Sequence, residues 1–303
     1  MCIRDRINIA TSMFFAEISG SAVADVAALG SILIPAMKKK GYPGPFAAAV
    51  TSSSASLAII IPPSIPMIVY AVMAQSSVVQ LFVAGVVPGI IGGFLMMFAA
   101  YIYARRKNLP IEENFNLVNL RKTAKEAALA FLLPIIILGG IFGGVVTATE
   151  GAGLAVVAAL IIGLIYREFD FKRLYQAATE GAIQTAAVML LVAASVLLGE
   201  FLTVEQIPQK VAESIIDMTQ NKYAVLAILN VFLLIIGFFL HSVAAIILTV
   251  PIVMPLVNAV GIDPVHFGII VTLNLAIGQQ TPPVASVLAV SYTHLRAHET
   301  SRN

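Results

Sequence analysis

Apolar residues in this chain fill runs long enough to cross a bilayer, and polar residues collect at a few points between and inside those runs. A helix needs about 20 mostly apolar residues to span the hydrocarbon core. Ile7 to Met37 is long enough, but Gly20 and Ser21 interrupt it, leaving arms of about 13 to 15 residues that read as a re-entrant hairpin. Lys38, Lys39 and Lys40 close it and mark the cytoplasmic side by the positive-inside rule. Pro45 to Ala74 then goes out with an interruption midway, and Val79 to Tyr103 returns to Arg105, Arg106 and Lys107. After a polar linker, Asn108 to Glu126, three crossings are predicted at Ala127–Val146, Gly151–Tyr166 and Ala182–Phe201. Tyr223 to Val257 repeats the hairpin pattern from the opposite side, and Val265 to Val290 is a final broken crossing inward.

The interruptions are chemically specific. Ser54 to Tyr70, SASLAIIIPPSIPMIVY, carries Pro62, Pro63 and Pro66. Proline lacks an amide donor and clashes with the preceding turn, costing about 3 kcal/mol in a helix interior. Non-helical backbone survives at membrane depth only when buried in protein or lining a wet cavity. Elsewhere, TATE at Thr147 to Glu150 fits a capping box. Glu150 and Glu180, each within ATEG, read as capping or interfacial residues, and His266 beside Pro264 as interfacial.

Shifting the chain by 220 residues without a gap lays Pro35 on Pro255, Gly41 on Gly261, and Pro62-Pro63 on Pro282-Pro283. Five predicted crossings separate the two hairpins, an odd number, so the second copy is inverted in the membrane. The predicted fold is an all-α polytopic membrane protein with inverted repeats, two re-entrant hairpins and two broken helices. The predicted organisation is repeat 1 over 7–77, connecting helices over 78–222 and repeat 2 over 223–290. Inverted repeats with interrupted helices are the architecture of secondary transporters, in which freed carbonyls coordinate cations and half-helix N-termini face anionic groups.

Four polar stretches converge in that layout. The first hairpin tip offers Ser19, Gly20, Ser21 and Asp25, and the first broken helix Thr51, Ser52, Ser53, Ser54 and Ser56. The second tip offers His241 and Ser242, and the second broken helix Asn274, Gly278, Gln279, Gln280 and Thr281. Hydroxyl, amide and carbonyl oxygens suit a hard cation such as sodium, by analogy with other hard cations. An isolated serine is equally well explained by close helix packing. Asp25 has two readings: an intramembrane carboxylate is a functional residue by default, or it caps the hairpin through backbone N–H groups. His241 is either a ligand or a satisfied buried histidine.

Composition narrows the class further. With 59% hydrophobic and 11% charged residues, the chain has far fewer charges than the roughly 25% of soluble domains. A formal net charge of +2 gives no reason to expect a nucleic-acid partner. One cysteine, Cys2, excludes an intramolecular disulfide framework or a multi-cysteine metal site. The sequence has no GxxxxGK[ST] phosphate loop for an ATP-driven pump and no GxSxG for a hydrolase built on a serine and Asp25. The ends, Met1 to Arg6 and Ser291 to Asn303, break into apolar segments without caps and resemble translated sequencing-adapter remnants; they are read as non-native tails.

Two blocks carry a family resemblance, SGSAVADVAALGSILIPAMKKKGYPGPFAAAVTSSSASLAIIIPPSIPMIVY and LTVPIVMPLVNAVGIDPVHFGIIVTLNLAIGQQTPPVASV. They resemble the large membrane subunit of tripartite ATP-independent periplasmic (TRAP) transporters, of the DctM-like type, truncated here at both ends. The resemblance implies a sodium-driven importer of organic acids, C4-dicarboxylates or related carboxylates, with an elevator-type transport domain in the bacterial inner membrane. It implies a small four-helix membrane partner, a periplasmic substrate-binding protein, sodium as coupling ion and no other cofactor. Carried over by position, one sodium site draws on Ser19, Gly20, Ser21 and Ser52 to Ser56, and the other on Ser242, Asn274, Gly278 and Thr281. The family usually has glycine where Ala58 stands and commonly an acidic residue where His241 stands. The alternative reading is a stand-alone sodium/dicarboxylate symporter of similar architecture.

Overall fold

Apolar runs form the helices, and Gly20 and the Pro62-Pro63 and Pro282-Pro283 pairs interrupt them, whereas Pro35, Pro88, Pro251 and Pro255 stand inside helices. In the computed structural model, which describes residues 4–107, 131–167, 170–219 and 221–300, every regular element of the described residues is helical. Contacts divide the chain into two units, residues 1–112 with 195–303, and residues 113–194.

The first unit opens with a hairpin, α1 (Arg4–Ser19) and α2 (Ala22–Lys39), followed by α3 (Gly44–Ala55). A single 3₁₀ turn, Ser56–Ile59, prolongs α3, and after the Pro62-Pro63 break the helix resumes as α4 (Ile65–Met73). The long α5 (Val78–Arg106) packs on α1 and α4. Gly85, Gly89 and Gly93 lie along one of its faces against Ile60 and Met67, Ile61, and Met13, a small-residue seam that lets the broken segment approach closely. The apolar packing of α1 on the break gathers Ile9, Ala16, Leu57, Ala58, Ile61 and Ala100.

The C-terminal half rebuilds the same sequence of elements. After the end of α8 (Phe171–Val204) and the short α9 (Ile207–Met218) come α10 (Lys222–Phe239), α11 (Ser242–Ala259), α12 (Pro264–Gly278) and α13 (Ser286–Thr300). The 220-residue shift carries α2 onto α11 at both ends, α3's first residue Gly44 onto Pro264, and Gly41 (φ +85°) onto Gly261 (φ +68°). The peptide bonds Pro62–Pro63 and Pro282–Pro283 are both cis. The resumed half of each broken helix packs on elements of the other copy: α4 on α11 and α12, α13 on α2 and α3. Tyr70 of α4, fully buried, donates its hydroxyl to the Pro264 carbonyl of α12 at 2.7 Å.

The copies differ at the break. The first winds through the 3₁₀ turn, with Ala58 buried among apolar side chains. The second stays α-helical to Gly278. Their local winding differs, so Ala58 is accommodated where the repeat would align glycine.

The second unit contains α6 (Phe131–Phe142), α7 (Ala148–Ile165) and the first part of α8. The expected capping box is present: the Thr147 amide donates to Glu150 Oε2 at 2.8 Å and the Glu150 amide to Thr147 Oγ1 at 3.3 Å. Glu180, expected to cap or to lie at an interface, stands inside α8 and caps no helix start, because the helix already runs from Phe171. The linker Asn108–Glu126 lies outside the described residues. Five described helices are long and apolar enough to cross a membrane: α5, α7, α8, α10 and α11. The protein is a multi-pass helical membrane protein.

Candidate functional site

Each broken helix rests its break on the tip of its own hairpin. Gly20, at φ +60°, turns the chain between α1 and α2, and its carbonyl accepts the Ile65 amide at 3.3 Å. A Cβ on Gly20 would stand 2.8 Å from the Pro63 carbonyl oxygen, so both backbone angle and space demand glycine. In the second copy the Val284 amide donates to the Phe238 carbonyl at 3.3 Å. Gly278 lies directly on Gly237, where a Cβ would come within 2.6 Å of backbone.

Around the first tip and break the polar side chains bond to one another or to nearby backbone. Asp25, in the first turn of α2, is fully buried; its Oδ1 accepts from the Ser19 hydroxyl, while Oδ2 has no hydrogen-bond partner. Ser21, the N-cap of α2, donates its amide to Ser19 Oγ at 3.2 Å. Ser52 donates to the Ala49 carbonyl at 3.1 Å and Ser56 to the Ser53 carbonyl at 2.6 Å. Ser64 splints the break, donating to the Ile59 carbonyl at 2.6 Å and accepting the Met67 amide at 3.5 Å.

Two of the candidate serines face elsewhere. Ser54 Oγ lies 2.8 Å from Ser12 Oγ on α1, and next to this pair Asn8 donates to Thr51 Oγ1 at 2.8 Å. Ser53 lines a groove of about 230 Å³ with Ile9, Val50 and Met96. Ser54 thus joins hairpin arm to broken helix, which is the packing role open to any membrane serine.

The second break is similarly built. Asn274 donates to Asn230 Oδ1 on α10 at 2.7 Å and to the Ile270 carbonyl at 2.8 Å. Thr281 donates to the Ile277 carbonyl at 3.0 Å. Ser242 is buried at the start of α11, and His241 is its exposed N-cap, with no side-chain capping bond. Gln280 reaches the other copy, its Nε2 donating to the Ser52 carbonyl at 2.5 Å. Gln279 is 2% exposed, and neither of its side-chain amide atoms has a partner.

Most of the candidates lie at two tip-and-break junctions, linked by the contact between Gln280 and Ser52, while Thr51, Ser53 and Ser54 face α1 or the groove beside it. Among the described residues, no group of three His, Cys, Asp or Glu side chains could hold a metal ion. Any cation bound here relies on hydroxyl, amide and carbonyl oxygens with Asp25. The sequence reading did not weigh Asn8, Ser12, Ser64 or Asn230. Asn8 and Ser12 were accessible to it, being four residues apart and so on one helix face.

Residues 5–293 match the family described as tripartite ATP-independent periplasmic transporter, DctM component. The chain is 43% identical over 285 residues to the isethionate TRAP transporter permease protein DctMQ of Oleidesulfovibrio alaskensis, covering 93% of this chain and 45% of that protein. It is 40% identical over 280 residues to the C4-dicarboxylate TRAP transporter large permease protein DctM of Pseudomonas aeruginosa, covering 92% and 66%. It is 35% identical over 285 residues to the sialic acid TRAP transporter large permease protein SiaM of Vibrio cholerae, covering 94% and 67%. The chain thus spans between about half and two-thirds of the length of these relatives. The reading as a hydrolase falls with this match, and the chain belongs to the DctM component family of tripartite ATP-independent periplasmic transporters.

Proposed function

We propose that this chain is the core of the large permease subunit of a sodium-driven tripartite secondary transporter in the bacterial inner membrane. It imports an organic anion, a C4-dicarboxylate or a related carboxylate or sulfonate, delivered by a periplasmic binding protein, and works with a small four-helix membrane subunit. The two hairpins and two broken helices form an elevator-type transport domain of inverted repeats. The observation that carries this is the pair of tip-and-break junctions, in which carbonyls, hydroxyls and Asp25 are buried beside interrupted helices.

The named relatives handle isethionate, C4-dicarboxylate and sialic acid, all of which bear an anionic oxygen group. Between Gly41 and Ala104, and again between Tyr223 and Leu295, no lysine or arginine occurs. A bidentate guanidinium clamp is therefore missing from the broken helices. Bound sodium and half-helix N-termini supply the positive potential instead.

The test is uptake into proteoliposomes holding the complete large subunit and its small partner, under a sodium gradient, with and without the binding protein. Uptake that needs both sodium and the binding protein supports the proposal. Sodium-driven uptake without the binding protein replaces it with a stand-alone symporter, and sodium-independent uptake overturns it.

A further inference from the structure

Gln279 is a buried polar side chain that the architecture leaves unexplained. Its backbone is fully employed, the amide donating to the Leu275 carbonyl at 3.0 Å and the carbonyl accepting the Val287 amide at 3.3 Å. Its side chain holds nothing together: 2% exposed, with Oε1 and Nε2 both buried and unpartnered. The neighbouring Gln280 spends the same functional group on the Ser52 carbonyl at 2.5 Å. An amide offers two donors and an acceptor, and leaving both ends unmade in a buried place is costly. A leucine of similar length would fill that space without the penalty.

The location indicates what completes the pair. Gln279 is the C-cap of α12, the end of a half-helix that carries partial negative charge and exposed carbonyls, which favours a cation. An acceptor oxygen beside such an end suits a hard cation, and a donor nitrogen on the same planar group suits an anionic oxygen. Resting on the function proposed above, we infer that Gln279 bridges the two ligands of the second junction, with Oε1 on the coupling cation and Nε2 on an anionic oxygen of the substrate. It is a neutral coupling residue, in contact with both, and it makes each ligand bind more tightly when the other is present. Nothing in repeat 1 duplicates it, because the 220-residue shift lays Gln279 on Ile59.

The experiment measures uptake by the complete subunit, co-reconstituted with its small partner and supplied with binding protein, at varied sodium and varied substrate. Wild type is expected to show a substrate KM that falls as sodium rises. Gln279→Leu should raise the sodium concentration for half-maximal uptake about tenfold and flatten the dependence of substrate KM on sodium. Gln279→Asn, which keeps the amide on a shorter stem, should recover part of the coupling, and it serves as the informative variant if Gln279→Leu fails to fold. A Gln279→Leu or Gln279→Asn transporter with wild-type sodium dependence and unchanged coupling overturns the bridge while leaving the sodium-driven reading intact. Sodium-independent uptake by the wild type overturns both.

Discussion

Gln280 and Ser52, 228 residues apart, are joined by a hydrogen bond from side-chain amide to backbone carbonyl, so the break of one copy is pinned to the broken helix of the other. Only the glutamine end can be removed by substitution. Gln280→Leu leaves the Ser52 carbonyl without this donor and should cost about 1 kcal/mol, seen as a fall of about 2–4 °C in the thermal midpoint of the detergent-solubilised protein. An unchanged midpoint would show that the two copies are held by apolar packing alone.

Gly20 and Gly278 should resist even alanine. Gly20→Ala combines left-handed backbone with a clash against the Pro63 carbonyl, and Gly278→Ala drives a methyl into Gly237. Each should destabilise by more than about 2 kcal/mol and reduce the yield of monodisperse protein. Gly163→Ala, on α7 with open space around it, is the control and should be neutral or mildly stabilising. Equal behaviour of all three would refute the close approach of tip and break.

Asn230 and Asn274 form a test of interhelical bonding between α10 and α12. Replacing either with leucine leaves the other with only its bond to its own helix, Asn230 to the Leu226 carbonyl or Asn274 to the Ile270 carbonyl, whereas replacing both removes the pair cleanly. A double-mutant cycle should give a coupling energy of about 0.6–1.7 kcal/mol, the range of such bonds in membranes. Additive effects would mean that the pair is incidental.

Asp25 offers the most direct test of the first junction. Asp25→Asn keeps a group able to accept from Ser19 but removes the fully buried carboxylate at the first tip. If this carboxylate meets the coupling cation, half-maximal uptake should require about tenfold more sodium, with the folded fraction on size exclusion preserved. If Asp25 only orients the hairpin, the folded fraction drops and the sodium dependence of the surviving transporter stays as in wild type.

Much of this arrangement was legible in the residues. The hairpin turn at Gly20, the prolines at both breaks and the 220-residue correspondence follow from local rules, because Gly and Pro act on backbone wherever the chain goes. Side-chain partners are a different matter. Ser53 and Ser54 are neighbours in a polar run, yet one lines an apolar groove and the other bonds to Ser12, a distinction set by which helix packs alongside. The capping half of the Glu180 reading failed for a related reason: ATEG caps a helix only where one begins, and α8 had begun nine residues earlier at Phe171. Asn230 shows no signal of its own within α10, since its partner Asn274 is distant in the chain.

The exchange of resumed half-helices has a consequence for how the protein is made. Tyr70 on α4 emerges from the ribosome 194 residues before the Pro264 carbonyl that it will bond. At roughly 5–20 residues per second, α4 waits on the order of 10–40 s for its docking partners. During that interval the first hairpin and its break must sit in the membrane with their packing on α11, α12 and α13 unmade, so a companion that shelters them during synthesis, or a bilayer that tolerates them, becomes part of the folding route.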